Sequence, residues 1–184
     1  MPFIRLQTQQ NQLIKTGQTA RYEDGDDGDL KKGWSGNPRF LQKTHNGQAI
    51  VLDRASGLIW PQSEVDLFLI DTRFQRSNYT TCLTVLDALN AAGFGGYNDW
   101  RVPNIHELLS IIDFSSTATY PGKKCYSVFT PKCYLSCLMD YWWSSTAVAN
   151  SPSSNFVYMN TSAATGFLTA QPRTYSATLF PCRG

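Results

Sequence analysis

Asp99-Trp100-Arg101-Val102-Pro103-Asn104-Ile105-His106-Glu107-Leu108 contains the start of a helix. Asn104 is placed to cap it, and Glu107, at the third helical position, can reach back to the cap's own N–H, the reciprocal pairing of a capping box. A helix is expected from about Ile105 to Ile112, with His106 on its solvent-facing first turn. Upstream, Tyr79 to Ala92 sets Leu83, Leu86 and Leu89 with Cys82 and Val85 at spacings of three and four, which predicts an amphipathic helix. Gly93-Phe94-Gly95-Gly96 ends it. That cluster follows a helix where a dinucleotide fingerprint would follow a strand, so it is not one.

Strand signals flank the two helices. Pro38-Arg39-Phe40, Asn46-Gly47 and Ala49-Ile50-Val51-Leu52-Asp53 read as strand, hairpin turn and strand, and Ser56-Gly57-Leu58-Ile59-Trp60 as a turn into a third. After the second helix come short strands around Asp140 to Thr146, Phe156 to Asn160, Gly166 to Leu168 and Tyr175 to Leu179. Adjacent strand residues face opposite ways, so of Trp142 and Trp143 one is expected in the core, Trp143, and the other at the surface. Two early helices and a late antiparallel sheet make an α+β domain.

The chain's 184 residues fit one domain of ~100 to 200 residues with an arm. Residues 1–14 are Gln-rich with scattered Phe3, Ile4 and Leu6, an extended arm with an alternating fragment suited to strand addition on a neighbour; the domain is 15–184. Apolar residues make up 42% and aromatics 13%, too many for a disordered polymer. No apolar run approaches the ~20 residues of a membrane helix. Net charge is +2, too near neutral for a nucleic-acid binder. Charge is unevenly spread: residues 1–114 carry 11 basic and 13 acidic side chains, whereas 115–184 carry five basic ones against Asp140 alone. Tyr141 to Pro172 holds no Asp, Glu, Lys, Arg or His and abounds in Ser, Thr and Asn.

Five cysteines, Cys82, Cys125, Cys133, Cys137 and Cys182, include no CxxC pair, and with two histidines they make a zinc site hard to assemble. Three lie in a Lys/Pro/Tyr-rich loop, which suits one local staple in an oxidising compartment and one leftover thiol. Met1 to Arg5 lacks the apolar core of a secretory signal, so export is expected through a removed signal or another route. Asp24-Gly25-Asp26-Asp27-Gly28-Asp29 misses the EF-hand pattern, with Gly28 at the fifth position and Ser35 at the twelfth. It reads as Asp/Gly turns, and calcium is not expected to be needed for folding.

Several strings together resemble the bacterial family named after the C-terminal domain of the Legionella collagen-like protein. They are Lys15-Thr16-Gly17-Gln18-Thr19, Gly25 to Gly33, Pro38-Arg39-Phe40, Ser56 to Trp60, Asp99 to Asn104 with Glu107-Leu108, Trp143-Ser144-Ser145-Thr146 and Cys182-Arg183-Gly184. The resemblance implies a C-type-lectin-like fold with two helices, a small twisted, mostly antiparallel sheet whose first and last strands pair, and a buried disulfide stapling Cys82 to Cys182. It also implies a secreted or cell-surface protein. The Ser63 to Ser77 insert and the Cys125 to Cys137 loop stand out as particular to this sequence.

No Gly-x-Ser-x-Gly elbow, phosphate loop or HExxH is present, so neither enzyme nor cofactor is expected. The lectin calcium strings are also missing. The expected activity is calcium-independent recognition of glycans, anionic ones among them, or of a surface receptor. Its expected ligand-binding residues are Lys123, Lys124 and Lys132 for charge, Tyr126, Tyr134, Tyr141 and Trp142 for ring stacking, and Arg173. The competing expectation is a homo-oligomer or surface fibre joined through the arm at Phe3, Ile4 and Leu6.

Overall fold

Asn46 and Gly47 both take positive φ, 48° and 78°, the conformation a two-residue hairpin turn needs to match strand twist. The turn folds β1 (Phe40–His45) antiparallel onto β2 (Gln48–Asp53), with His45 opposite Gln48 and Phe40 opposite Asp53. β3 (Ile59–Pro61) pairs antiparallel with the far side of β2. The computed structural model describes residues 13–74, 77–115, 125–129, 141–152, 155–160 and 168–184, the strand 155–160 as backbone only. The arm residues Phe3, Ile4 and Leu6, the loop residues Lys123, Lys124, Lys132 and Tyr134, and Cys133 and Cys137 lie outside them.

A second three-stranded antiparallel sheet runs β4 (Tyr141–Ala147), β5 (Asn155–Asn160), β6 (Leu168–Pro172). The described helices are α1 (Asp27–Leu30), α2 (Glu64–Ile70), α3 (Tyr79–Ala91) and α4 (Ile105–Ser110). The class is α+β, as the sequence predicts. α3 and α4 are the two expected helices, and the Asn104/Glu107 capping box is formed in both directions. α1 and α2 are additional. On α3, Cys82, Val85, Leu86 and Leu89 are buried, but Leu83 is 42% exposed. Positions 82, 85, 86 and 89 already complete the inward stripe, and residue 83 is rotated a further ~100° away from 82.

The core lies between the two sheets and α3. Trp142 and Trp143 are both buried, which corrects the expectation that Trp142 faces solvent. β4 is covered on both faces. Trp143 sends its Nε1 to the Ser77 carbonyl at 2.9 Å and meets Tyr79 edge-on; Trp142 stacks on Phe180 at 5.1 Å. Phe180 is in turn stacked on Trp60 at 5.8 Å, so it sits between two indoles. The closing residues are extended here: Ile59 and Arg183 exchange backbone bonds of 2.9 and 3.0 Å, and Arg101 and Cys182 bonds of 2.8 and 3.0 Å. The last segment therefore pairs with β3 and not with β1.

The expected Cys82–Cys182 staple is not formed. Both are free, buried thiols, as is Cys125. Their sulfurs address different neighbours, Cys82 Sγ the Ser77 carbonyl at 3.7 Å and Cys182 Sγ the Glu107 carboxylate at 3.9 Å. Burial pushes both thiols up to about 12, which leaves almost no thiolate to react at neutral pH. Cys82 and Cys182 are accordingly expected to resist iodoacetamide in the native protein and to label fully in denaturant without prior reduction. Peptide mapping that required reductant to label them would contradict this.

Candidate functional site

The acidic stretch is folded by its own carboxylates. Asp26 caps α1 by accepting from Asp29 N at 2.7 Å, and its other oxygen accepts from Tyr22 N and Gln18 Nε2, each at 2.8 Å. These donors, Tyr22 first, hold the Asp26 carboxyl below its ordinary range. Asp29 accepts from Gly25 N, and Asp27 from Thr16 Oγ1. Gly28 must be glycine, because a Cβ there would run into the Ala20 carbonyl. Among the described residues, no group of His, Cys, Asp or Glu is arranged to hold a metal ion.

Residues 13–19 lie as a strap across this loop. The Leu13 carbonyl accepts from Trp34 N at 2.8 Å, the Thr16 carbonyl from Phe114 N at 2.9 Å, and the Lys15 carbonyl from the Tyr126 hydroxyl at 3.2 Å. Between strap, α1 and residues 34–39 opens a groove of about 420 Å³. Lys15, Lys31 and Lys32 line it, and none of the three is in an ion pair among the described residues. Among the described residues its one lining carboxylate, Asp27, is held by Thr16. Half-buried Trp34 contributes a ring braced by Gly36, where a Cβ would strike the indole. Thr19, Ser35 and Asn37 add small polar groups.

Arg39 ties the groove to the core. Its Nε and Nη2 form a two-pronged bond to Asp53, 2.9 and 2.7 Å, and Nη2 also reaches the Ser110 carbonyl at 2.7 Å. Asp53 is fully buried, and it accepts from Ala55 N and Ser56 Oγ as well. The guanidinium lies 4.5 Å from the Phe40 ring centre and 5.0 Å from that of Tyr126. Burial raises the Tyr126 phenol, and the Arg39 charge partly offsets this.

A second polar niche is enclosed. Glu64, the first residue of α2, accepts a 2.9 Å bond from Trp142 Nε1, and burial pushes its carboxyl up to about 7 against the opposing pull of that bond.

The expected ligand residues do not form one surface. Tyr126 is in the groove wall. Tyr141 is half-buried against Tyr175, with ring centres 5.7 Å apart, and exposed Arg173 lies over Tyr79. Trp142, taken from the sequence as a stacking platform, offers no face to a ligand, because its indole is enclosed by Phe180 and Glu64. A ladder of rings separates it from Tyr126: Tyr126 to Phe40 at 4.9 Å, Phe40 to Phe129 at 5.4 Å, Phe129 to Phe180 at 6.1 Å, and then Trp142.

Comparison with known families matches residues 49–183 to the Lcl C-terminal domain. The chain belongs to the Lcl C-terminal domain family. Among curated proteins no match is found. The matched span takes in β3, α2 to α4 and the second sheet, and supplies Asp53 and Tyr126 to the site. The groove's lysines, Trp34 and Arg39 precede it; the lysines and Arg39, but not Trp34, fall in strings that resemble the family. Sequence reading did not single out these residues as a site. The available signal was Lys31-Lys32 beside Gly33 and Trp34. For Glu64 it was Ser63 followed three residues later by Asp66, a helix-start pattern inside the insert.

Replacing Arg39 by Met leaves Asp53 buried without its countercharge, and urea unfolding is expected to show a loss of about 3–5 kcal/mol, as for other broken buried pairs. Millimolar calcium should leave the melting temperature unchanged, since a ligand specific to the native state must raise it.

Proposed function

We propose that this chain is a calcium-independent, non-enzymatic recognition module of C-type-lectin-like fold, displayed outside the cell or on its surface, whose groove holds anionic glycans. The observation that carries the reading is the juxtaposition of Lys15, Lys31 and Lys32, in no ion pair among the described residues, with the braced Trp34 ring in a groove of about 420 Å³. An indole face suits the apolar face of a pyranose, ammonium groups suit sulfates or carboxylates, and hydroxyl and amide groups suit sugar hydroxyls. Volume supports it too, since small-molecule sites commonly occupy ~300–1,000 Å³. Family membership supports the fold and the location.

A sulfated hexasaccharide and its desulfated counterpart test this by calorimetry. The sulfated probe should bind more tightly, and its affinity should fall as salt rises, because exposed charges are screened beyond ~8 Å at physiological ionic strength. The variant Lys15→Gln, Lys31→Asn, Lys32→Gln removes the charges; Asn suits residue 31, whose φ is 50°. At roughly 0.2–1 kcal/mol per exposed pair, its affinity should drop by up to about 100-fold with the fold intact. Unchanged binding would exclude the groove. If replacing Lys123, Lys124 and Lys132 by Ser abolished binding instead, the site would belong to the Cys125–Cys137 loop.

A further inference from the structure

Glu64 is 7% exposed, in a niche bounded by Gln62, Cys125, Phe129, Trp142 and Phe180. Each described element packed there is uncharged at this point. The residue after β3 brings the Gln62 amide, β4 the Trp142 indole, and the closing segment the Phe180 ring. Segment 125–129 brings Phe129 and, among the described residues, the one other titratable group, the Cys125 thiol, which burial and then the Glu64 charge push far up. No Lys, Arg or His is paired with Glu64 among the described residues. Among the described residues an ionised carboxylate here would have one neutral N–H for company, and burying a charge on those terms is strongly unfavourable.

Water would relieve it, but the niche has only about 10 Å³, at the lower limit for a single molecule. A wall must therefore move. Phe180 is wedged between two indoles, and β4 is bonded to Thr178 through Trp143 N and the Tyr141 carbonyl, at 3.0 and 2.9 Å. Among the described residues, segment 125–129 is held by longer bonds: in its bridge to Ile112, Tyr126 N bonds to the Ile111 carbonyl at 3.2 Å, and the Val128 carbonyl accepts from the amides of Gln62 and Gln42 at 3.2 and 3.4 Å, while Phe129 packs on Phe40 and Phe180. Its Tyr126 is also the groove wall that meets the strap.

We infer that Glu64 is a proton-operated latch: protonated, it keeps segment 125–129 closed on the core with Tyr126 in the groove wall; ionised, it releases that segment and reshapes the groove. The latch does not depend on what the groove binds. Glu64 titrates at about 7 when closed, against an ordinary 4.5. The closed state is thus favoured fully below the ordinary value and loses stability as pH rises toward 7, beyond which the loss is complete.

Hydrogen exchange of the 125–129 amides in the intact chain, corrected for intrinsic rates, reads the opening directly. From pH 5 to 7 the opening constant should rise about tenfold per pH unit, then level off. Glu64→Gln can still accept from Trp142 and has no charge to gain, so its opening should be flat with pH. Trp142→Phe removes the donor that favours the ionised form, so its levelling point should move to higher pH. Opening that is flat in the wild type, or that rises equally in Glu64→Gln, overturns the latch. Should Glu64→Gln fail to fold, an unmoved levelling point in Trp142→Phe overturns it.

Discussion

The Arg39–Asp53 pair is the junction on which the described architecture depends. Asp53 is fully buried at the end of β2, where the chain turns toward β3, and its oxygens accept from that turn as well as from Arg39. Arg39 precedes β1, reaches the end of α4 through the Ser110 carbonyl, and presents a guanidinium face to Phe40 and Tyr126. Four parts of the chain distant in sequence are thereby fixed by one charge pair. A hydrophobic pair of similar volume could fill the same space, but it would not demand this register. The groove inherits its shape from that demand, since Tyr126 and the strap bonded to it are placed by the guanidinium.

Around the pair the core is organised by rings. Tyr126, Phe40, Phe129, Phe180 and Trp142 follow one another in tilted, edge-on and stacked contacts, the arrangements aromatic quadrupoles favour. The ladder runs from the groove wall to the Glu64 niche, so the two polar features on the first sheet's side share one apolar spine. Segment 125–129 contributes two of its five rings. That places a piece of chain with longer backbone bonds in the path between solvent-facing and enclosed chemistry.

What was legible in the sequence was whatever local chemistry enforces. Asn46-Gly47 demands positive φ, Asn104 and Glu107 satisfy each other's N–H groups, and residues 82, 85, 86 and 89 share a helix face, so these elements are where the residues put them. Trp142 was misread because strand alternation assumes one open face, and only tertiary structure reveals that β4 is covered on both. The Cys82–Cys182 staple was carried over by family resemblance, and the direction of each sulfur is set by neighbours no motif contains. The groove was illegible for a related reason. Lys15, Lys31 and Lys32 become a cluster only after Arg39, Tyr126 and the strap bring three loops together.

The buried run Ala177 to Cys182 has a consequence for synthesis. It supplies Leu179 and Phe180 to the core, and its last residue, Cys182, and the next, Arg183, bond to Arg101 and Ile59. A ribosome delivers these residues after every element they join, when β1, β2, β3 and the helices have already left the exit tunnel. Until then Trp60 and Trp142 lack the ring that belongs between them, and the space is open to water. The stack of Trp60, Phe180 and Trp142 therefore cannot assemble before nearly the whole domain has been made.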